Sequence, residues 1–324
     1  MRARTALLAA AVVASLAALS ACTNASQDVG AQTGPSAGAG GAAGAGGAAG
    51  AGGASRPAES SGAASTAVSA KAAALVPADA KGKTLHFATD ASYPPFEQFD
   101  AGNKNIVGFD VDVMHAVGAK LGVTFQPVNA GFDSILTGLA AGRYDAAASS
   151  FSVTPEREKV VDFVTYLQGG AGIAAPRGNP QQLAMDWQTL CGHTVAAQKG
   201  TTQAIEQLPA LSKQCTDAGK PAITISLFPS QNDTILAIAS GRVDAMMGDS
   251  TAIAYQAKLA GGRFELAPGD VYEARPTGIA LQKNSPLKPA VEEAVKELYA
   301  DGTIAEIAAT WSVPASNFAP NPGV

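Results

Sequence analysis

The sequence is poor in charged and aromatic residues, which make up only 15% and 6% of its 324 positions. It has no basic tract, no interleaving of aromatic residues with arginine and no zinc-type spacing, so we expect no nucleic-acid partner and no metal. From residue 83 onward no Gly-x-Ser-x-Gly elbow occurs, and His86, His115 and His193 stand in unrelated patterns. These absences predict neither a catalytic residue nor a cofactor.

A long hydrophobic run is also missing at the N-terminus. The apolar stretch of residues 6–19 is too short and too rich in alanine to span a bilayer comfortably, and two arginines precede it. We therefore expect a signal peptide over residues 1–21. The sequence Leu19-Ser20-Ala21-Cys22 resembles the lipobox of bacterial lipoproteins, which predicts lipidation of Cys22; the alternative is an ordinary secretory cleavage site.

Glycine, alanine and serine dominate the next segment, which contains no aromatic residue. Such a composition cannot bury enough surface to offset the entropy of ordering the backbone. We expect residues 22–82 to form a flexible tether between the lipid anchor and the folded part. A low-complexity tail without purpose is equally consistent with the composition alone.

Only three cysteines are present. With Cys22 assigned to lipid, Cys191 and Cys215 remain, in a chain expected to be exported to a compartment where disulfides persist. We predict that these two cysteines pair. Two buried free thiols are the alternative.

From residue 83 onward, strand-like apolar runs alternate with helical patterns. Strands are predicted at residues 84–89, 124–128 and 145–149, with helices at residues 110–121 and 133–141. This alternation is typical of βαβ units around a mostly parallel sheet, and therefore of the α/β class. Asp110 and Asp112 fall in the first turn of a helix, where we expect a structural role for them.

An internal repeat indicates two lobes built on one plan. The segment from Asp133 to Ala146 recurs, one residue shorter, from Asp233 to Ala245. Each copy predicts a helix closed by glycine and followed by a short strand. The strands end in Ser149-Ser150 and Gly248-Asp249-Ser250, and ligands bind at the carboxyl ends of strands in open α/β sheets. We expect a site between the lobes, although ordinary polar loop exits would give the same pattern.

Four local signals make that site suitable for a zwitterion. Arg157 follows a hydroxyl-rich stretch and suits a carboxylate. Asp249 is expected to end its strand as an exposed carboxylate that suits an ammonium group, and residues 198–203 lead from a strand into a helix whose free N–H groups suit an anion. Asp90 ends the first strand and is followed by Tyr93 and Phe96, which can pack on a ligand. Taken singly, Arg157 could form a surface salt bridge with Glu158 or Asp162, and residues 198–203 could be an ordinary threonine N-cap.

Residues 83–312 resemble the family-3 bacterial solute-binding proteins for polar amino acids, through the helix start Gly108–Val113, the Ser149–Arg157 stretch, Lys199–Gln203, and Gly241–Ala245 with Asp249. The resemblance implies a two-lobed periplasmic-binding-protein-like fold (type II) with two parallel-type sheets. The implied segments are lobe 1 at residues 83–170, lobe 2 at residues 171–276, and a return to lobe 1 with a C-terminal tail at residues 277–324. Two hinge crossings are expected, near residues 168–172 and 273–278.

The resemblance also implies roles for individual residues. Arg157, Ser152 and the Thr202 region would bind the ligand α-carboxylate, and Asp249 with the Ser150 carbonyl would bind the α-ammonium group. The full set expected to bind the ligand is Asp90, Tyr93, Phe132, Ser149, Ser150, Ser152, Arg157, Gly200, Thr201, Thr202 and Asp249. Gln198 and Lys199 depart from the family pattern and leave the choice between glutamine and a basic amino acid open.

The expected function is therefore capture of an amino acid outside the cytoplasm by a monomer that is lipid-anchored to the cell membrane and delivers its ligand to an ABC transporter permease. Two alternatives remain. One is a sensing subunit for a receptor, and the other is a dehydratase or lyase on the same fold, since fold alone does not determine function.

Overall fold

Strands and helices alternate along the folded part, as the sequence predicts. The computed structural model describes residues 66–324; the expected signal peptide, Cys22 and the tether up to residue 65 lie outside the described residues. The strands are β1 Thr84–Thr89, β2 Ser92–Tyr93, β3 Glu97–Phe99, β4 Ile106–Val107, β5 Thr124–Asn129, β6 Ala146–Ser152, β7 Val161–Pro176, β8 Thr194–Gln198, β9 Thr224–Phe228, β10 Ala245–Asp249, β11 Phe264–Leu266 and β12 Tyr272–Gln282. The α-helices are α1 Ala70–Ala74, α2 Phe109–Leu121, α3 Phe132–Ala140, α4 Pro155–Glu158, α5 Trp187–Leu190, α6 Leu208–Asp217, α7 Gln231–Ala239, α8 Ser250–Leu259, α9 Lys288–Ala300 and α10 Thr303–Trp311, with a π-helical turn at Gln203–Gln207 and a 3₁₀ turn at Ala315–Asn317.

The main sheet places the two lobes on either side of a central strand pair. In lobe 1, β1 pairs in parallel with β5 and β6. In lobe 2, β8 pairs in parallel with β9 and β10. The strand order is β5-β1-β6-β12-β7-β10-β8-β9, with β11 on β7. The two predicted sheets are therefore joined by backbone hydrogen bonds into one path, and the two-lobed α/β fold is confirmed.

The central strands β7 and β12 are the two crossings between the lobes. They pair antiparallel, with Gly169 opposite Arg275 at the crossing point, and both continue into lobe 1 and lobe 2. Gly169 and Gly170 leave room at this point: a Cβ on Gly169 would lie 2.6 Å from Asp249 Oδ2, and one on Gly170 would lie 2.8 Å from the Tyr272 carbonyl. The absence of side chains therefore lets the cleft residues approach the crossing strands.

The internal repeat corresponds to α3–β6 in lobe 1 and α7–β10 in lobe 2. Each helix is followed by a glycine with positive φ, Gly142 at 76° and Gly241 at 71°, which only a residue without Cβ adopts freely. The strands that follow are buried alanine and methionine runs. Because each strand lies inside its own lobe beside the crossing pair, both carboxyl ends point toward the region between the lobes.

Order begins earlier than the expected tether boundary at residue 82. Helix α1 packs on lobe 1, with Ala72 and Val76 buried in its core. The Ser69 hydroxyl caps the helix and donates to Glu297 Oε1 at 2.6 Å. Two apolar contacts and a side-chain cap therefore fix a segment whose composition alone predicts flexibility.

The disulfide prediction is confirmed. Cys191 and Cys215 are bonded, with their Cα atoms 5.6 Å apart, and Cys215 is fully buried in the core of lobe 2. The bond ties the end of α5 to α6. It lies away from the region between the lobes, so its role is structural.

Asp110 and Asp112 are structural, but they do not cap α2. The N-cap position, Gly108, makes no side-chain hydrogen bond. Asp112 Oδ2 instead accepts from the buried indole of Trp311 at 2.7 Å, and Asp110 Oδ2 accepts from the backbone N–H of Ser150 at 2.6 Å. Helix α2 therefore positions Ser150 at the end of β6.

Within residues 66–324, no helix has the length and apolar character needed to cross a membrane. The same residues bring together no cluster of histidine, cysteine and carboxylate side chains that could hold a metal ion.

Candidate ligand-binding site

A cleft of about 660 Å³, part of it open to solvent, lies between the lobes and over the crossing strands. Nine of the eleven predicted binding residues line it: Tyr93, Phe132, Ser149, Ser150, Ser152, Arg157, Thr201, Thr202 and Asp249. The repeat and the family resemblance therefore identified residues that the fold does bring together.

Arg157 is a buried cation whose hydrogen bonds go to backbone carbonyls. Nη1 donates to the Ser152 carbonyl at 2.8 Å, and Nη2 donates across the cleft to the Gly200 carbonyl at 3.0 Å. The guanidinium carbon lies 5.7 Å from the ring centroid of Phe132 and 5.6 Å from that of Phe151. Burial lowers the pKa of Arg157 to about 10, so it remains charged at neutral pH.

No carboxylate within residues 66–324 forms a salt bridge with Arg157. Asp162, one candidate partner, instead pairs with Lys283 at 2.7 Å. A buried guanidinium without an anionic partner suits a ligand carboxylate, which can satisfy its charge and its remaining donors together.

Asp249 supplies the opposite charge and is half-buried, whereas the sequence predicts an exposed carboxylate. It ends β10 and caps α8, with Oδ1 accepting from the N–H groups of Thr251 and Ala252 at 2.9 and 3.1 Å. Its own N–H donates across the cleft to the Tyr93 hydroxyl at 3.0 Å. Burial raises the pKa of the Asp249 carboxyl to about 6, because these hydrogen bonds offset only part of the desolvation.

Aromatic rings form the lobe 1 wall of the cleft. Tyr93 stacks on Phe96 with centroids 6.0 Å apart, and Phe132 stacks on Phe151 at 4.8 Å. Such faces suit the aliphatic part of a ligand or a flat cation.

Two predicted residues, Asp90 and Gly200, do not line the cleft. Asp90 Oδ2 accepts from Gln198 Nε2 at 2.6 Å and from the Phe132 N–H at 3.2 Å, so these donors occupy that oxygen. Gly200 has a φ of +78°, and a Cβ there would lie 2.8 Å from the Cα of Asp133. Gly200 is therefore a point of close contact between the lobes, with its carbonyl on Arg157. Lys199 is exposed and is not part of the lining.

A buried acidic pair adjoins the cleft on the lobe 1 side. Glu97 Oε1 accepts from the Ser149 hydroxyl at 2.7 Å, and Asp110 holds Ser150, whose φ is +47°. Burial, with the charge of Asp110 next, raises the pKa of Glu97 well above its usual value, and burial raises that of Asp110 to about 6. The pair therefore fixes the left-handed turn that exposes Ser150 to the cleft.

Residues of the crossing strands and the C-terminal tail were missed by the sequence analysis. Arg275 forms salt bridges with Glu206 at 2.6 Å and Glu273 at 2.7 Å, and Glu273 also accepts from Gln207 Nε2 at 3.1 Å. The missed lining residues with polar side chains are Gln168, Gln203, Gln207, Glu273, Arg275, Thr277 and Asn317. The expected crossings at residues 168–172 and 273–278, and the stretch of residues 198–203 in the case of Gln203, were signals that could have found some of them.

Carboxyl groups outnumber cationic groups around the cleft. The acidic residues in or against it are Asp90, Glu97, Asp110, Glu206, Asp249 and Glu273, and the basic ones are Arg157 and Arg275. Asp249 and Glu273 line the cleft itself together with Arg157 and Arg275, so the excess of carboxyl groups lies behind the lining, where burial raises the pKa of Asp90, Glu97 and Asp110. Such a cleft favours a ligand that carries more positive than negative charge.

The fold and the cleft define a two-lobed ligand-binding protein. The chain belongs to the bacterial extracellular solute-binding proteins, family 3, whose model matches residues 85–314. It is 33% identical over 241 residues to the arginine-binding protein ArgT of Corynebacterium glutamicum, a match that covers 74% of this chain and 78% of that protein.

Solved structures agree with this assignment. An ancestral arginine-binding protein bound to arginine has 31% identity and a TM-score of 0.63, with 70% of this chain and 97% of that one covered. The same kind of protein bound to glutamine has 30% identity and a TM-score of 0.63, over 71% and 98%. AncCDT-1, an ancestral amino acid-binding protein and a precursor of cyclohexadienyl dehydratase, has 32% identity and a TM-score of 0.60, over 70% and 95%.

Proposed function

We propose that this protein captures a basic amino acid, arginine foremost, and delivers it to an ABC importer. The observation that carries the proposal is the presence of Asp249 together with a buried Arg157 that has no carboxylate partner among residues 66–324, in a cleft surrounded by more carboxyl groups than cationic groups. A zwitterion with an additional positive charge satisfies all three features. The arginine-binding relatives support the same ligand class.

The ligand is held by its backbone groups at one end of the cleft. Arg157 binds the α-carboxylate through parallel hydrogen bonds, with help from Ser152 and Thr202. Asp249 and the Ser150 carbonyl bind the α-ammonium group. In this arrangement the helix-capping N–H groups hold one Asp249 oxygen and leave the other for the ligand.

The ligand side chain lies between the rings of Tyr93 and Phe132 and extends toward Ser149 and Gln198. The negative charge of Asp90 next to Gln198 attracts a guanidinium or ammonium group there. Glutamine is the second candidate, because the Gln198 amide can also bond an uncharged amide, and because a related ancestral protein binds glutamine as well as arginine.

Binding without turnover is the proposed activity. Asp90 and Asp249 are the carboxylates that could act as an acid and a base on the two sides of the ligand. Each has a complete alternative role, Asp90 as the partner of Gln198 and Asp249 as a helix cap. A dehydratase-like activity remains the rival, since AncCDT-1 is a precursor of an enzyme.

A thermal-shift screen of the full chain against all proteinogenic amino acids, ornithine and citrulline tests the proposal. A ligand present at 100 times its dissociation constant stabilises the folded state by about 2.7 kcal/mol. We expect a rise in Tm with arginine and other basic amino acids. No rise with any amino acid would contradict the proposed function, and consumption of the ligand during calorimetric titration would favour an enzyme.

We further propose that the protein is a lipid-anchored monomer, attached through Cys22, and that residues 23–65 act as its tether. The lipobox-like sequence before Cys22 supports the anchor. Labelling with radioactive palmitate should mark the wild type and not Cys22→Ser. Equal labelling of both would exclude Cys22 as the attachment site. Co-purification with a permease, as opposed to a sensor kinase, would separate import from sensing.

A further inference from the structure

The chain continues beyond the family match, which ends at residue 314. Ser312, with a φ of +58°, ends α10 and redirects the backbone, and the 3₁₀ turn Ala315–Asn317 follows. Residues 313–324, which we call the C-terminal strap, then run along β7. This strap is therefore largely an addition to the part of the fold that the family model describes.

The strap is fixed to lobe 1 and to the crossing strand. Gly323 N–H donates to the Thr165 carbonyl at 2.8 Å, and Thr165 N–H donates to the Val324 carbonyl at 3.1 Å. Phe318 forms an antiparallel bridge with Leu167 and packs edge-on against Tyr299. Strand β12 pairs with one edge of β7. The strap lies along the opposite edge, which pairs with β10 from Ala171 onward.

One side chain of the strap reaches lobe 2. Asn317 Nδ2 donates to Thr251 Oγ1 at 3.1 Å, and Thr251 Oγ1 donates to Asn317 Oδ1 at 3.3 Å. Asn317 is only 9% exposed, and it lines the cleft. Thr251 N–H donates to Asp249 Oδ1 at 2.9 Å. Asn317 is therefore linked through Thr251 to the carboxylate that faces the ligand.

We infer that the C-terminal strap holds the two lobes closed, with Asn317 as a positioning residue that acts through Thr251 on Asp249. The inference rests on the proposed function of the cleft and adds a residue to it. The strap is already ordered on lobe 1, so the contact with Thr251 forms on closure at little cost in chain entropy. Loss of the contact favours opening and faster release of the ligand.

Four single variants of the full chain, and the double variant of the first two, test this role. Asn317→Ala and Thr251→Val each remove the contact, Thr251→Ser keeps the hydroxyl, and Asn321→Ala changes an exposed asparagine of the same strap. With the amino acid that binds in the screen, we expect the first two variants to raise both Kd and the dissociation rate about tenfold. The double variant should lose no more than either single one, while Thr251→Ser and Asn321→Ala stay within twofold of wild type.

Amide hydrogen exchange provides a measurement that needs no ligand. The N–H groups of Gln231 and Asp249 donate across the cleft to Ser92 Oγ and Tyr93 Oη, so their exchange reports opening of the lobes. Exchange at these two amides should be faster in Asn317→Ala than in wild type and unchanged in Asn321→Ala.

The outcomes separate the two proposals. If wild type binds an amino acid while Asn317→Ala and Thr251→Val match it in dissociation rate and in exchange, the strap inference is overturned and the proposed function stands. If wild type binds no amino acid, the proposed function fails, and the exchange rates alone decide whether the strap closes the lobes.

Discussion

Gln198 Nε2 of lobe 2 donates a 2.6 Å hydrogen bond to Asp90 Oδ2 of lobe 1, and both side chains are buried. Because the two residues belong to different lobes, the bond forms only when the lobes are together. Closure of the cleft therefore brings Gln198 onto the charge of Asp90, at the end of the cleft proposed for the ligand side chain. A hydrogen bond to a charged group contributes about 1.5–3 kcal/mol. Asp90 therefore influences the ligand through its charge and through the amide that it orients.

The variant Asp90→Asn should separate basic from neutral ligands. The introduced amide retains an oxygen that can accept from Gln198, while the negative charge is removed. We expect the affinity for arginine to fall about tenfold and that for glutamine less than threefold, since only arginine carries a side-chain cation. Isothermal titration calorimetry measures both. Equal losses for the two ligands would place the ligand cation away from Asp90.

Arg157→Ala should weaken binding of any amino acid by roughly 30-fold or more, because loss of one partner of a buried charge pair costs about 2–5 kcal/mol. Arg157→Lys keeps the charge without the planar fork and should recover part of the loss. Arg143→Ala, at an exposed position, is the matched control. Binding by Arg157→Ala within tenfold of wild type would refute the assigned role.

Ligand affinity should fall as the pH drops below 6. The Asp249 carboxyl has a pKa of about 6 because of burial, and only its ionised form attracts an ammonium group. Binding therefore lowers this pKa and releases a proton, so affinity decreases by up to about tenfold per pH unit below 6. Titration calorimetry between pH 5 and 8 checks this. An Asp249→Asn variant should bind weakly with a much flatter profile; an unchanged slope would assign the proton to another group.

Gly169→Ala should impair binding more than stability. A Cβ at this position would lie 2.6 Å from Asp249 Oδ2, so the carboxylate must move away from its ligand-facing position. We expect at least a tenfold loss of affinity, with Tm changed by only a few degrees. Gly102→Ala, where the nearest atom would be 3.5 Å away, serves as control. Wild-type affinity in Gly169→Ala would mean that the exact position of Asp249 is unimportant.

Removal of the disulfide should destabilise lobe 2 without changing ligand specificity. The bond closes a loop with a sequence separation of 24, for which the chain-entropy relation gives about 3.5 kcal/mol. The Cys191→Ser, Cys215→Ser double variant should therefore show a lower Tm in reducing and non-reducing buffer alike. The Tm of wild type should fall to that of the double variant only in reducing buffer. The order of ligand preference should stay the same, because neither cysteine lines the cleft.

Much of lobe 1 follows from local sequence patterns. The predicted helices at residues 110–121 and 133–141 correspond to α2, Phe109–Leu121, and α3, Phe132–Ala140. Apolar periodicity and glycine at the helix ends are local signals, and they act over one or two turns. The same signals, repeated from Asp233, identified the second lobe and the strand end that carries Asp249.

The environment of individual side chains was less accessible to such patterns. The sequence predicts that Asp249 is exposed and that Asp90 faces the ligand, whereas Asp249 is a half-buried helix cap and Asp90 is bonded to Gln198. The segment around helix α1 is a further example. Its alanine-rich composition predicts flexibility, whereas Ala72 and Val76 pack in the core of lobe 1. Burial depends on what packs against a residue, and that neighbour is distant in the chain.

The sequence by itself determined the α/β class, the two-lobed plan, the disulfide pair and nine of the eleven predicted residues that line the cleft. Helix and strand periodicity, glycine turns and the internal repeat are properties of short segments, the pairing of the cysteines followed from the expected export of the chain, and the binding residues followed from the resemblance of ordered motifs to a known family. The tertiary structure alone decided which groups meet across the cleft: Gln198 with Asp90, Arg157 with the Gly200 carbonyl, and Asn317 with Thr251. These contacts join residues on separate lobes, and their energies exist only once the crossing strands bring the lobes together.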